Sequence, residues 1–192
     1  NYHFFKVFEE HILEYILIIR GSNDDNYLIG KMATFQLQSL LVAYKERFDK
    51  DNFIKNLLLD NLLLVDIYNR AKKLHIDIET RRLVFIVETD PDQNSGSLES
   101  IRSLFGPKSG DFITAVDEKS IIIVKEVGED EDYAQMNSVA AAMLDAVGRD
   151  DEGKTHVAYG TIVRELKEVS RSYKEAKMAM DVGKNFSDEL DI

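Results

Sequence analysis

The chain contains no cysteine among its 192 residues. This absence excludes disulfides, thiolate nucleophiles and zinc or iron–sulfur sites built from cysteine. Long apolar runs are also missing, because the two longest, residues 12–19 and 57–68, are too short or are interrupted by polar residues such as Asp60 and Asp66. A membrane-spanning helix needs about 20 apolar residues. With no signal-like stretch either, we expect a cytoplasmic protein without a membrane span.

Positive charge is scarce. The chain carries 24 Lys and Arg against 35 Asp and Glu, which gives a net charge of −11. Affinity for nucleic acids comes mainly from Lys and Arg that neutralise the phosphates, so this chain alone is expected to bind DNA poorly.

The first 20 residues contain two segments rich in aromatic and β-branched residues, 2–8 and 13–20, with a polar break between them. This pattern favours a β-hairpin. A helix is the alternative for the second segment, because Ile12, Tyr15, Ile16 and Ile19 also have helical spacing. A lone hairpin is marginal in water, so we expect it to pack on the rest of a sensor domain or on a second copy of the chain.

Helical periodicity follows, after capping residues at 22–25, and continues to Phe48. Gly30 lowers helix propensity by about 1 kcal/mol relative to Ala, which suggests close packing or flexibility at that point. Asp49 and Asp51 predict a break, followed by a second helix over residues 53–74.

The second predicted helix is apolar over more than half of its circumference, so it requires two neighbours. It is either enclosed within one domain or forms part of a homodimer interface. The candidate residues for that interface are Leu57, Leu58, Leu62, Leu64, Val65 and Tyr68.

From residue 82 onward, strands and helices alternate in the order β-α-β-β-α-β-α. The two middle strands, 112–116 and 120–125, form a predicted hairpin. With right-handed crossovers, this order predicts an α/β (α+β) domain with a ferredoxin-like or nucleotide-cyclase-like four-stranded antiparallel sheet and helices on one face. Two helices and the N-terminal hairpin precede this domain.

Two stretches resemble a known family. The run VAYGTIVRELKEVSRSYKEAKMAMDVGK, residues 157–184, has a strand that ends at Gly160 and a helix with Ser170, Tyr173 and Ala176 at three-residue spacing. It closely resembles the end of the GGDEF-like domain in CdaR/PucR-type regulators, which include the carbohydrate diacid regulators of bacteria. Residues 43–77 are similar to the connection that enters this domain in the same family.

The resemblance implies a bacterial transcription regulator whose DNA-binding helix-turn-helix and sensor domain, in some members a sugar-diacid domain, are missing from this chain. The resemblance also implies that the chain consists of three parts. Residues 1–23 are expected to be a hairpin remnant of the sensor, residues 24–77 connecting and dimerisation helices, and residues 78–192 the GGDEF-like domain. A small-molecule effector would act through the missing sensor.

The central hairpin indicates whether cyclase chemistry is expected. A diguanylate cyclase needs carboxylates that hold metal ions and small residues at the turn where the nucleotide approaches the backbone. Here the hairpin reads ITAVDEKSIII: Asp117 and Glu118 remain, the paired glycines are absent, and Lys119 stands where an aromatic residue is expected. Glu88 and Asp90 are the nearest further carboxylates. We expect a degenerate hairpin with no catalytic residues, cofactor or metal ion.

Other catalytic patterns are missing too, since no HExxH, GxSxG or phosphate-binding loop motif occurs. The sequence therefore favours a non-enzymatic homodimer that transmits a signal to a DNA-binding domain. The alternative is a degenerate GGDEF-like domain that still binds a nucleotide or another small effector.

Overall fold

The computed structural model describes residues 1–9, 11–21, 23–89, 94–106, 110–147 and 155–189. The chain divides into two compact units, Asn1–Lys50 and Asp51–Ile192, which we call the N-terminal and C-terminal units.

The N-terminal unit contains the predicted hairpin. Strands β1 (Tyr2–Glu9) and β2 (Ile12–Arg20) pair antiparallel, with a register shift between Val7 and Phe8. This confirms the hairpin and rules out the helical alternative for residues 12–19. The alternation of side chains along β1 places Phe5 and Val7 on a buried face, whereas the opposite face is exposed.

Helix α1 (Asp24–Leu58) corrects the prediction of a break at Asp49 and Asp51, because it continues through both residues. Aspartate is only a modest helix breaker, and here Asp51 forms an ion pair with Lys55 one turn later at 2.9 Å.

The helix ends ten residues later than predicted. Asp60 adopts a left-handed backbone conformation with φ of 61°, and the N–H of Asn61 donates to the carbonyl of Asn56 at 2.9 Å. The single helix expected over residues 53–74 is therefore two pieces, the end of α1 and helix α2 (Leu64–Lys73).

The C-terminal unit has the predicted order of elements. Its strands are β3 (Arg82–Glu88), β4 (Phe112–Ala115), β5 (Ser120–Glu126) and β6 (His156–Tyr159). Its further helices are α3 (Asn94–Leu104), α4 (Tyr133–Val147) and α5 (Val169–Glu189), the last preceded by a 3₁₀ turn at Leu166–Glu168. The sheet is antiparallel throughout, in the order β4-β5-β3-β6, which confirms the predicted fold class.

One detail of that prediction needs correction, because helices cover both faces of the sheet rather than one. The side chains of Phe85 and its same-face neighbours pack with α3 and α4, while Val84, Ile86 and their neighbours pack with the end of α1, α2 and α5. The continuous apolar run of β3, Leu83 to Val87, is fully buried, which is typical of a strand covered on both faces.

No helix in the described part of the chain is both long enough and apolar enough to cross a bilayer.

Candidate functional site

The turn between β4 and β5 is organised by the side chain of Asp117. Its Oδ1 accepts hydrogen bonds from the N–H groups of Lys119 (2.9 Å) and Ser120 (2.7 Å), and its Oδ2 accepts one from the Ser120 hydroxyl (3.1 Å). This is the local bonding that makes aspartate favourable in turns. Both oxygens of this carboxylate are therefore engaged within the turn itself.

The protonation equilibrium of Asp117 reflects these bonds. Partial burial acts to raise the pKa of the carboxyl group, but the donors from Lys119 and Ser120 and the positive charge of Lys177 outweigh it, so the pKa lies below its usual value. The site thus holds a carboxylate that is stabilised in its charged form by the protein.

Helix α5 supplies the other groups around the turn. Tyr173 is buried in the core beside it, and burial, followed by the negative charge of Asp117, raises the pKa of its phenol. Lys177, whose charge favours ionised Asp117, lies one helical turn beyond Tyr173 and is exposed. The turn and this helix are therefore electrostatically coupled.

A second carboxylate lies at the neighbouring strand end. Glu88, the last residue of β3, pairs with Ser120 in the sheet register, and its carboxylate forms an ion pair with Lys184 of α5. The backbone N–H of Thr89 donates to the carbonyl of Lys119 at 3.1 Å, which joins this strand end to the turn. Asp90, the other predicted candidate, lies outside the described residues.

These side chains do not fit a pair of divalent metal ions. Both oxygens of Asp117 already accept hydrogen bonds from its own turn, and Glu88 forms an ion pair with Lys184. Glu118 is exposed at the tip of the turn. Across the described ranges, no three His, Asp or Glu side chains come together as a metal-binding group.

Residues 157–184, which carry the family resemblance, form the contact between the end of β6 and helix α5. Strand β6 ends at Tyr159, and pairing resumes only as an isolated bridge between Val163 and Arg82. In this gap, the backbone N–H of Val84 donates to the buried hydroxyl of Ser172 at 3.0 Å. Helix α5 thus supplies the acceptor that the neighbouring strand does not.

Gly160 allows this close approach. A Cβ atom at Gly160 would lie 2.0 Å from the carbonyl oxygen of Ser172. The next residue, Thr161, donates from its N–H and its hydroxyl to the carboxylate of Glu175. The Thr161 bonds, opposed by partial burial and aided by Arg171, keep the pKa of Glu175 below its usual value. The loop after β6 and helix α5 are therefore locked together.

The candidate dimer residues fall in different environments. Leu57 and Leu58 are fully buried at the end of α1, in the core of the C-terminal unit, and Leu62 packs against that core. Leu64 and Val65 are exposed at 52% and 61%. The remaining candidate, Tyr68 of α2, is half-buried.

Sequence reasoning did not single out Ser172 or Lys184. The one available signal was the position of Ser172, a small polar residue on the buried stripe of α5 that also carries Val169, Ala176 and Met180. A polar group on such a stripe needs an internal partner.

Comparison with known proteins agrees with this architecture. A family model described as a GGDEF-like domain matches residues 61–182. No curated protein and no solved structure matches the chain. The matched segment contains the whole four-stranded sheet and most of α5, and it accounts for more than half of the sequence. The chain therefore belongs to the GGDEF-like domain family.

Proposed function

We propose that this chain is the signal-transmission and dimerisation part of a CdaR/PucR-type transcription regulator and that its GGDEF-like domain is non-catalytic. In this proposal residues 1–23 are the end of a sensor that binds a small effector, residues 24–77 connect and associate two copies, and residues 78–192 form the output domain. DNA is contacted by a helix-turn-helix outside these residues, in the cytoplasm of a bacterium.

The observation that carries the proposal is the state of the β4–β5 turn. Both oxygens of Asp117 accept hydrogen bonds from residues of the same turn. A catalytic carboxylate of a cyclase would instead need its oxygens directed to metal ions on the substrate phosphates. The turn also lacks the paired glycines that would admit the nucleotide, and Lys119 stands where an aromatic residue is expected.

The lysines of α5 support the same interpretation. Lys184 pairs with Glu88 and the charge of Lys177 acts on Asp117, so cationic side chains already act on both of these carboxylates. A lysine that already compensates the negative charge of a carboxylate weakens the attraction of that carboxylate for a metal ion.

Mechanical coupling is the function that these contacts favour. Helix α5 is fixed to the sheet at three places along its length: Ser172 to β3, Glu175 to the loop after β6, and Lys184 to the end of β3. A helix bonded in this way moves with the sheet as one body, so a displacement of the sheet is passed to the whole of α5.

Association is supported by the apolar surface of the N-terminal unit. Large side chains along α1 are exposed within this unit, among them Phe35 at 72% and Tyr44 at 71%. Both faces of β2 are also largely exposed. Surfaces of this kind usually mark association, here with a second copy.

The proposal is tested by sedimentation velocity over a wide range of protein concentration, combined with calorimetric titration of GTP and cyclic dinucleotides in the presence of magnesium. We expect a reversible dimer and no heat of binding. A strict monomer at high concentration would remove the dimerisation role. Saturable heat with a nucleotide would favour the alternative, an effector-binding domain that retains its ligand without turnover.

A further inference from the structure

We draw no further inference here: the strongest candidate, the exposed apolar surface of α1 around Phe35, Tyr44 and Phe48 in the N-terminal unit, adds nothing to the association proposed above, because no contact among the described residues shows what covers it.

Discussion

The backbone N–H of Val84, in the central strand, donates a hydrogen bond to the hydroxyl of Ser172 on α5 across 3.0 Å, although 88 positions separate the two residues. Ser172 is fully buried. The bond fills the gap that opens where β6 leaves the sheet at Gly160, and it joins the last helix to the middle of the fold. It explains why a serine stands on the apolar stripe of α5.

Replacement of Ser172 by alanine should destabilise the protein. The substitution leaves the buried N–H of Val84 without an acceptor, which typically costs about 1–3 kcal/mol. The free energy of unfolding in urea measures the effect. Ser138→Ala is the matched control, because Ser138 is exposed on α4 and gains the same helix propensity. It should change stability by less than about 0.5 kcal/mol. Equal losses of unfolding free energy in the two variants would contradict the role of Ser172 as the acceptor for the Val84 N–H.

Gly160→Ala should be destabilising for a different reason. The new Cβ would meet the backbone oxygen of Ser172 at 2.0 Å, so α5 or the loop must shift, and such overpacking costs about 1–3 kcal/mol or more. Combining the change with Ser172→Ala should give little relief, because the two closest contacts are with the backbone of Ser172. Gly183→Ala is the control: its Cβ meets no atom within 4 Å, and helix propensity predicts a gain of up to about 1 kcal/mol. A stable Gly160→Ala protein would refute the close approach.

The pH dependence of stability should change in Asp117→Asn. The folded-state pKa of Asp117 is lowered, so its carboxylate stabilises the fold at pH values above the unfolded pKa of about 3.9, and this contribution is lost as the pH falls through the folded pKa. The difference in unfolding free energy between wild type and variant should therefore shrink from pH 6 to pH 3. Ser120→Ala removes one donor and should produce a smaller change in the same direction. If the difference in unfolding free energy between wild type and Asp117→Asn does not depend on pH, the Asp117 carboxylate does not accept these hydrogen bonds in the turn.

Gly30→Ala should weaken the packing of the hairpin on α1. Alanine favours the helix by about 1 kcal/mol, but its Cβ would overlap the ring of Phe5, 2.1 Å from the nearest carbon. We expect faster hydrogen exchange of the β1 amides in the variant. In a Phe5→Ala background the overlap disappears, and Gly30→Ala should then be neutral or stabilising. If Gly30→Ala has the same effect in the wild-type and Phe5→Ala backgrounds, Gly30 provides flexibility rather than room for the Phe5 ring.

Local patterns in the sequence were sufficient for the hairpin and for the order of elements in the C-terminal unit. Alternation along residues 2–8 and the apolar run of β3 are properties of single segments. The course of α1 was not predictable in this way. Its continuation through Asp49 and Asp51 depends on burying Phe53, Ile54 and Leu57 in a core formed by elements far along the chain. Tertiary packing there outweighs the weak local preference for a break.

The candidate site was predictable only in part. The hairpin turn with Asp117 and Glu118 follows from turn-forming residues between two apolar strands. The roles of Ser172 and Lys184 depend on how α5 crosses the sheet, and no spacing within the helix encodes which strand atoms it meets. Residues 53–74 were expected as one apolar helix, yet α1 ends at Leu58 and Asp60 adopts a left-handed conformation, which separates the buried Leu58 from the exposed Leu64.

Under the proposed function, the β4–β5 turn does not support nucleotide chemistry. This claim is tested most directly by incubating the chain with GTP and magnesium or manganese and separating the products by chromatography, with an active diguanylate cyclase as the positive control. The bonded state of Asp117 predicts no cyclic dinucleotide above the level of a protein-free sample. Accumulation of product that is abolished by Asp117→Asn would contradict the account.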